Sequence, residues 1–189
     1  MMTIVDEIAV KLGYDRLITA RRLRSSGMTT ALVLIDLMPR IIALPLAPHS
    51  GDDVLGRCLK LADAFRTKGL PVIQVRVDRP HVPEQPPGSD FAPGVVQRGD
   101  VVLVKRSIGA FATTDLDAEL RRLGVDTIVL GGLVTTMGVE STARAASDLG
   151  YEVEFVADAM SGLAADEHDF AVAKTFPRFG RVATTQDYL

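Results

Sequence analysis

The chain is poor in cysteine, histidine and aromatic residues. Its 189 residues include one cysteine, three histidines and no tryptophan, and aromatics make up 5%. A single cysteine cannot close an internal disulfide, which fits a reducing compartment and a cytoplasmic location. It also excludes a zinc site built on several cysteines. His49, His81 and His168 have no i, i+4 partner and no His-x-His spacing, so no metal is expected. Positive charge is not in excess either. Lys and Arg number 21 against 24 Asp and Glu, a net charge of −3, which argues against a general grip on nucleic acid or anionic lipid. No apolar run approaches the roughly 20 residues needed to span a bilayer. What is present is ordinary for a globular chain, with 47% hydrophobic and 24% charged residues. The length suits one domain with a sizeable core.

Residues 1–27 differ from the rest. Ile4, Val5, Ile8 and Leu12 have near-helical spacing, and Arg21, Arg22 and Arg24 lead into Ser25-Ser26-Gly27. Asp6, Glu7 and Asp15 argue against a transit peptide. A docking helix, a flexible arm and an upstream extension before Met28 all remain open. We divide the chain into an N-terminal extension, 1–27, and one domain, 28–189.

From Thr29 onward, apolar runs alternate with helical patterns. Ala31 to Ile35 is a continuous apolar run ended by Asp36, as in a strand buried on both faces. A helix follows over Val54 to Lys68, with Gly69 at its end. Val72 to Val77 is a strand, and Arg79 to Val95 is a proline-rich loop. The pattern continues with a strand at Val101–Val104, a helix at Leu116–Leu123, and a strand at Thr127–Leu130 broken by Gly131-Gly132. A helix over Val139–Leu149, a strand over Glu152–Val156, a helix over Glu167–Phe176 and a short strand over Arg181–Thr184 complete it. This alternation predicts a three-layer α-β-α domain around a mostly parallel sheet.

In such sheets chemistry lies beyond the carboxyl ends of the strands. That directs attention to Asp36, Asp78, Lys105, the segment after Leu130, and Asp158. Asp36 either holds a carboxyl group of raised pKa at the edge of a dry region or caps a helix starting near Pro39. Lys105 either steadies a carboxylate or is a solvated lysine beside Arg106. Gly131 to Val139 is a glycine-containing turn into a helix. It either aims N–H groups at an anion or simply connects strand to helix. Ser141 lacks a G-x-S-x-G setting and reads as an ordinary helix serine. Neither nucleotide-binding glycine motif is present, and no cofactor is expected.

Together these residues resemble the isochorismatase-like hydrolase superfamily, over roughly Thr29 to Leu189. The family's first strand ends in Asp-x-Gln, matched by Asp36-Leu37-Met38. Its lysine, followed by Phe and Thr-x-Leu, is matched by Lys105 through Phe111 to Leu116. Its Gly-x-x-Thr-x-x-Cys-Val-x-x-Thr-Ala segment is matched by Gly132 to Ala143, with Gly138 where the family's nucleophilic cysteine stands. Asp158-Ala159-Met160 and Glu167-His168 look like the family's C-terminal portion. The resemblance implies Asp36 and Lys105 as catalytic residues. Phe111, Val134, Thr135, Thr136 and Met137 are implied to line the substrate site.

Two departures sharpen this. Gly138 closes the thiolate route by which cysteine hydrolases of the family cleave amides. Met38 replaces the glutamine. True isochorismatases also carry a small residue at the nucleophile position, and there the aspartate protonates a vinyl ether. The residues Val134 to Met137 look more like the cysteine-hydrolase branch. The expectation is therefore a cofactor-free hydrolase of a small carboxylated substrate. Asp36 is the general acid, Lys105 positions Asp36 and substrate, and N–H groups of Thr136 to Val139 hold a carboxylate. A water-nucleophile amide or ester hydrolase, and a non-catalytic member that binds a small molecule or partner, stay open. Family members are often oligomers, so a homo-oligomer is expected. Cys58 falls on a predicted helix facing the core, away from the site.

Overall fold

The computed structural model describes residues 29–189; the expected N-terminal extension lies outside the described residues. Six strands form one sheet in the order β3-β2-β1-β4-β5-β6, every neighbouring pair parallel. They are β1 (Thr29–Ile35), β2 (Val72–Val77), β3 (Val101–Lys105), β4 (Val125–Leu133), β5 (Glu152–Ser161) and β6 (Gly180–Ala183). The helices are α1 (Pro39–Ile42), α2 (Gly51–Thr67), α3 (Leu116–Arg122), α4 (Glu140–Asp148) and α5 (Ala165–Phe170). This is the expected three-layer α-β-α arrangement.

The apolar run of β1 follows from its place at the sheet centre, between β2 and β4. Ala31, Val33 and Ile35 pack with Ile73, Val75, Ile128 and Leu130 in one core. Leu32 and Leu34 point the other way, onto Val54, Cys58 and Leu61 of α2. A strand buried on both faces has no polar face, and each buried Leu or Ile is worth about 2 kcal/mol. Helix α2 starts where the Ser50 side chain accepts from the Asp53 N–H at 3.1 Å. It stops before Gly69, whose φ of +68° suits glycine.

The structure corrects the expected break at Gly131-Gly132. Strand β4 runs straight through both, with Leu34 opposite Gly131 and Ile35 opposite Gly132. The reason is close approach. A Cβ on Gly132 would stand 2.2 Å from the Ile35 carbonyl oxygen, and φ there is +107°. Strand β5 also outlasts its expected end at Val156 and runs to Ser161, so Asp158 lies within a strand. Its carboxylate accepts from the Thr185 N–H at 2.7 Å and hydroxyl at 3.0 Å, a structural tie. The last expected helix is shorter: α5 gives way to a π-type turn over Ala171–Thr175 and a 3-10 turn over Phe176–Arg178. No helix among the described residues is long and apolar enough to cross a membrane.

Candidate active site

Strands β1 and β3 flank β2, and their carboxyl ends carry Asp36 and Lys105. The two side chains meet over the end of β2, with Lys105 Nζ donating to Asp36 Oδ2 at 2.7 Å. They are 69 residues apart in the chain. Lys105 is 2% exposed and Asp36 is 6% exposed, so this ion pair is shielded from water. Asp36 has φ +54°, a left-handed conformation that aspartate and asparagine tolerate better than other side chains. Its N–H donates to the Val75 carbonyl at 2.7 Å, which turns the chain out of β1.

Lys105 also donates to the carbonyls of Ile108, at 2.9 Å, and Ser107, at 3.4 Å. An ammonium has three protons, and all three are accounted for. Lys105 therefore acts on Asp36 rather than polarising a substrate oxygen directly. Asp36 keeps one oxygen, Oδ1, buried with no hydrogen-bond partner among the described residues. Burial pushes its pKa above the usual carboxylate value, and Lys105 pulls it partly back. The result is a carboxyl group whose neutral form is favoured over that of an exposed aspartate, with Oδ1 buried at the end of the central strand near the Val77 backbone.

The segment after β4 completes this corner. Gly138 is buried in a π-type turn, Thr135–Val139. A Cβ there would meet Ile35 Cγ2 at 2.9 Å and Asp36 Oδ2 at 3.3 Å. The position at which the resemblance expects a cysteine is thus in contact with Asp36. The expected anion cradle is only partly available, because the Met137 and Val139 N–H groups both donate to the Val134 carbonyl, at 3.0 and 3.3 Å. The Thr136 and Gly138 N–H groups remain as candidates. Thr142 Oγ1 donates to the Gly138 carbonyl at 2.6 Å and accepts from the Ala110 N–H at 3.1 Å. That hydroxyl locks the turn to the loop after Lys105.

The other expected lining residues divide. Val134 and Thr135 are buried, Thr136 is half-buried, and Met137 is 47% exposed. Thr135 Oγ1 bonds His168 Nδ1 at 2.8 Å, so its hydroxyl faces a buried imidazole. Phe111 goes elsewhere. Its ring stacks on Tyr151, 6.0 Å between centroids, at the amino end of β5, the opposite end of the sheet from Asp36. Two open cavities lie aside from the ion pair. They measure about 400 and 330 Å³ on the β2–β3 side, and Asp36 lines neither.

His168 falls on an expected helix and has no expected part in the site. It is 4% exposed and bonded to the site turn across 33 residues, with its pKa lowered by burial first and His49 second. The sequence carries no local signal for such a contact. Cys58 lies 0% exposed on α2, as expected. Among the described residues no three His, Cys, Asp or Glu side chains gather as metal ligands would.

Residues 30–187 match the isochorismatase domain. The chain belongs to the isochorismatase family. An isochorismatase family protein of Escherichia coli O157:H7, YecD, itself uncharacterized, is 38% identical over 184 residues, covering 88% of this chain and 98% of YecD. The structure of an isochorismatase family protein from Burkholderia thailandensis superposes with a TM-score of 0.78 and 44% identity, covering 86% of this chain and 94% of that one. The N-carbamoylsarcosine amidase of Thermoplasma acidophilum superposes with a TM-score of 0.74 and 28% identity, covering 84% of this chain and 97% of that one. This isochorismatase-family chain is thus similar both to family proteins of unstated activity and to an amidase. Membership makes it a family hydrolase acting on a small molecule.

Proposed function

We propose that this protein hydrolyses a small carboxylated vinyl ether by general acid catalysis from Asp36. One observation carries the reading: a buried carboxyl group whose Oδ2 is held by Lys105 and whose Oδ1 has no partner, beside a residue without a side chain. Asp36 in its protonated form gives a proton to the terminal vinyl carbon. The C=C electrons form the new C–H bond, and the ether carbon becomes an oxocarbenium ion. Water adds to that carbon, and the Asp36 carboxylate takes the proton lost by the water. The hemiketal then collapses to a ketone and an alcohol, and the balance is one water consumed. Lys105 stabilises the Asp36 carboxylate after it has given its proton. The Thr136 and Gly138 N–H groups are the candidates to hold a carboxylate of the substrate.

Isochorismate tests this, with release of pyruvate as the readout. Asp36→Asn is the informative variant because asparagine accepts the positive φ, so the change removes the proton donor with little backbone cost. The expected result is turnover that falls by about 10²- to 10⁴-fold in Asp36→Asn, in line with the loss of a general acid. The working form is protonated, so the wild-type rate declines as pH rises through the raised Asp36 pKa. Absence of pyruvate release from the wild type refutes the reading. Likeness to the N-carbamoylsarcosine amidase favours a second one, in which Asp36 as a carboxylate activates water against an amide. That reading requires a rate that rises with pH over the same range.

A further inference from the structure

Five buried side-chain polar atoms have no partner among the described residues, and three of them gather at one corner. They are Asp36 Oδ1, Arg40 Nε and Ser89 Oγ. Buried polar groups in a native fold are almost always bonded, so such a cluster calls for a ligand. The geometry is consistent across elements. Strand β2 lies between β1 and β3, and the Asp36–Lys105 pair bridges its end. Arg40 stands on α1, four residues after Asp36, and its Nη2 donates to the Val77 carbonyl at that same strand end, at 3.4 Å. The Arg40 N–H donates to the Gly88 carbonyl at 3.2 Å. The Gly88–Ser89 segment, with Asp78 and Gln85, lines a neighbouring cavity of about 330 Å³ that Arg40 and Asp36 border but do not line.

The charges facing Arg40 are Asp36, Asp78 and Arg79. Both carboxylates are already bonded to other cations, Asp36 to Lys105 and Asp78 to Arg76. Arg79 adds a further positive charge, and its own backbone is held by Gln85. A half-buried guanidinium with an idle Nε, beside two carboxylates that each already hold another cation through one oxygen, keeps a donor for one further acceptor. A guanidinium offers a planar fork of donors that matches a carboxylate. The turn after β4 cannot supply that role in full, since two of its N–H groups are occupied.

We propose that Arg40 anchors a carboxylate of the substrate, setting the rest of the molecule against Asp36. This inference rests on the reading of Asp36 as the reacting group, and it names the residue that selects acids over their neutral analogues. The Ser89 hydroxyl is the second donor at that corner. Nothing in the family motifs of this chain marks Arg40.

The test uses the full chain with benzoate and maleate as probes, each compared with its neutral amide by calorimetry. The wild type is expected to bind the acids more tightly than the amides. Arg40→Gln is expected to weaken acid binding about 10- to 100-fold, the worth of a charge-assisted pair, and to leave amide binding unchanged. Arg40→Lys keeps the charge but loses the fork, and falls between. Three results overturn the proposal: acids binding no better than amides to the wild type, Arg40→Gln binding acids as the wild type does, or Arg40→Gln losing acids and amides in parallel. The last is what a purely structural role would give. The two readings fail separately. Arg40-dependent acid binding without isochorismate turnover refutes the reaction and keeps the anchor. Asp36-dependent turnover with acid binding indifferent to Arg40 keeps the reaction and refutes the anchor.

Discussion

At the scale of single residues, the candidate site is an ion pair with every proton on the lysine side bonded and one buried oxygen on the aspartate side without a partner. Removing one member of a buried pair strands the other, at a cost of about 3–5 kcal/mol. Lys105→Met is expected to show this in urea unfolding, and the loss should depend on pH. The folded-state pKa of Asp36 is already raised by burial and would rise further without Lys105. Stability contributed by a raised pKa is present at low pH and is lost as pH rises through the folded value. Lys105→Met should therefore be closer to wild type at pH 5 than at pH 8. Adding Asp36→Asn should remove that pH dependence and recover part of the stability. A Lys105→Met variant equally stable at both pH values would refute this account. Asp36 and Lys105 were legible in the sequence because each closes an apolar strand, a place where a charge is conspicuous. Arg40 and His168 were not, since their partners lie across loops, and contacts such as Thr135 to His168 leave no spacing to read.

Secondary-structure elements were legible where burial writes a pattern. Strands β1 and β2 and helix α2 fall within a few residues of expectation, because their faces are fixed by packing on both sides of the sheet. Strand β4 is longer than its sequence suggests because glycine signals two opposite things. At Gly124, φ is +66° with open space around the missing Cβ, a helix-ending turn. At Gly132 the glycine is there for a neighbour, the Ile35 carbonyl. These uses predict different mutational costs. Gly124→Ala is expected to cost about 1 kcal/mol, the strain of a left-handed residue. Gly132→Ala must in addition push β1 and β4 apart beside Asp36, so a loss above about 3 kcal/mol and failure of the site are expected. Thermal unfolding of the two variants side by side is the measurement. Equal midpoints would show that β4 yields at no cost. The last helix is shorter than its apolar spacing suggests, because the chain changes to a π-type turn after Phe170 and to a 3-10 turn that contains Pro177.

At the scale of the whole molecule, the chain's scarcity of cysteine becomes a functional statement. Its one thiol, Cys58, lies under the sheet on α2, with Sγ donating to the Ala159 carbonyl at 3.4 Å. Burial pushes that thiol far above its ordinary pKa, so the thiolate is absent at any working pH. The position that the family resemblance assigns to a nucleophilic cysteine holds Gly138, packed against Ile35 and Asp36. The proposed reaction accordingly runs without the chain's one thiol. Iodoacetamide in excess should leave the activity of the native protein unchanged, while the denatured chain takes up one equivalent, seen by intact mass. The rate of labelling in mild denaturant should follow the population of the opened state, because Cys58 is reached only when α2 leaves the sheet. Rapid labelling of the folded protein with loss of turnover would show that Cys58 does reach the substrate, and would overturn the reading in which Asp36 carries the proton alone.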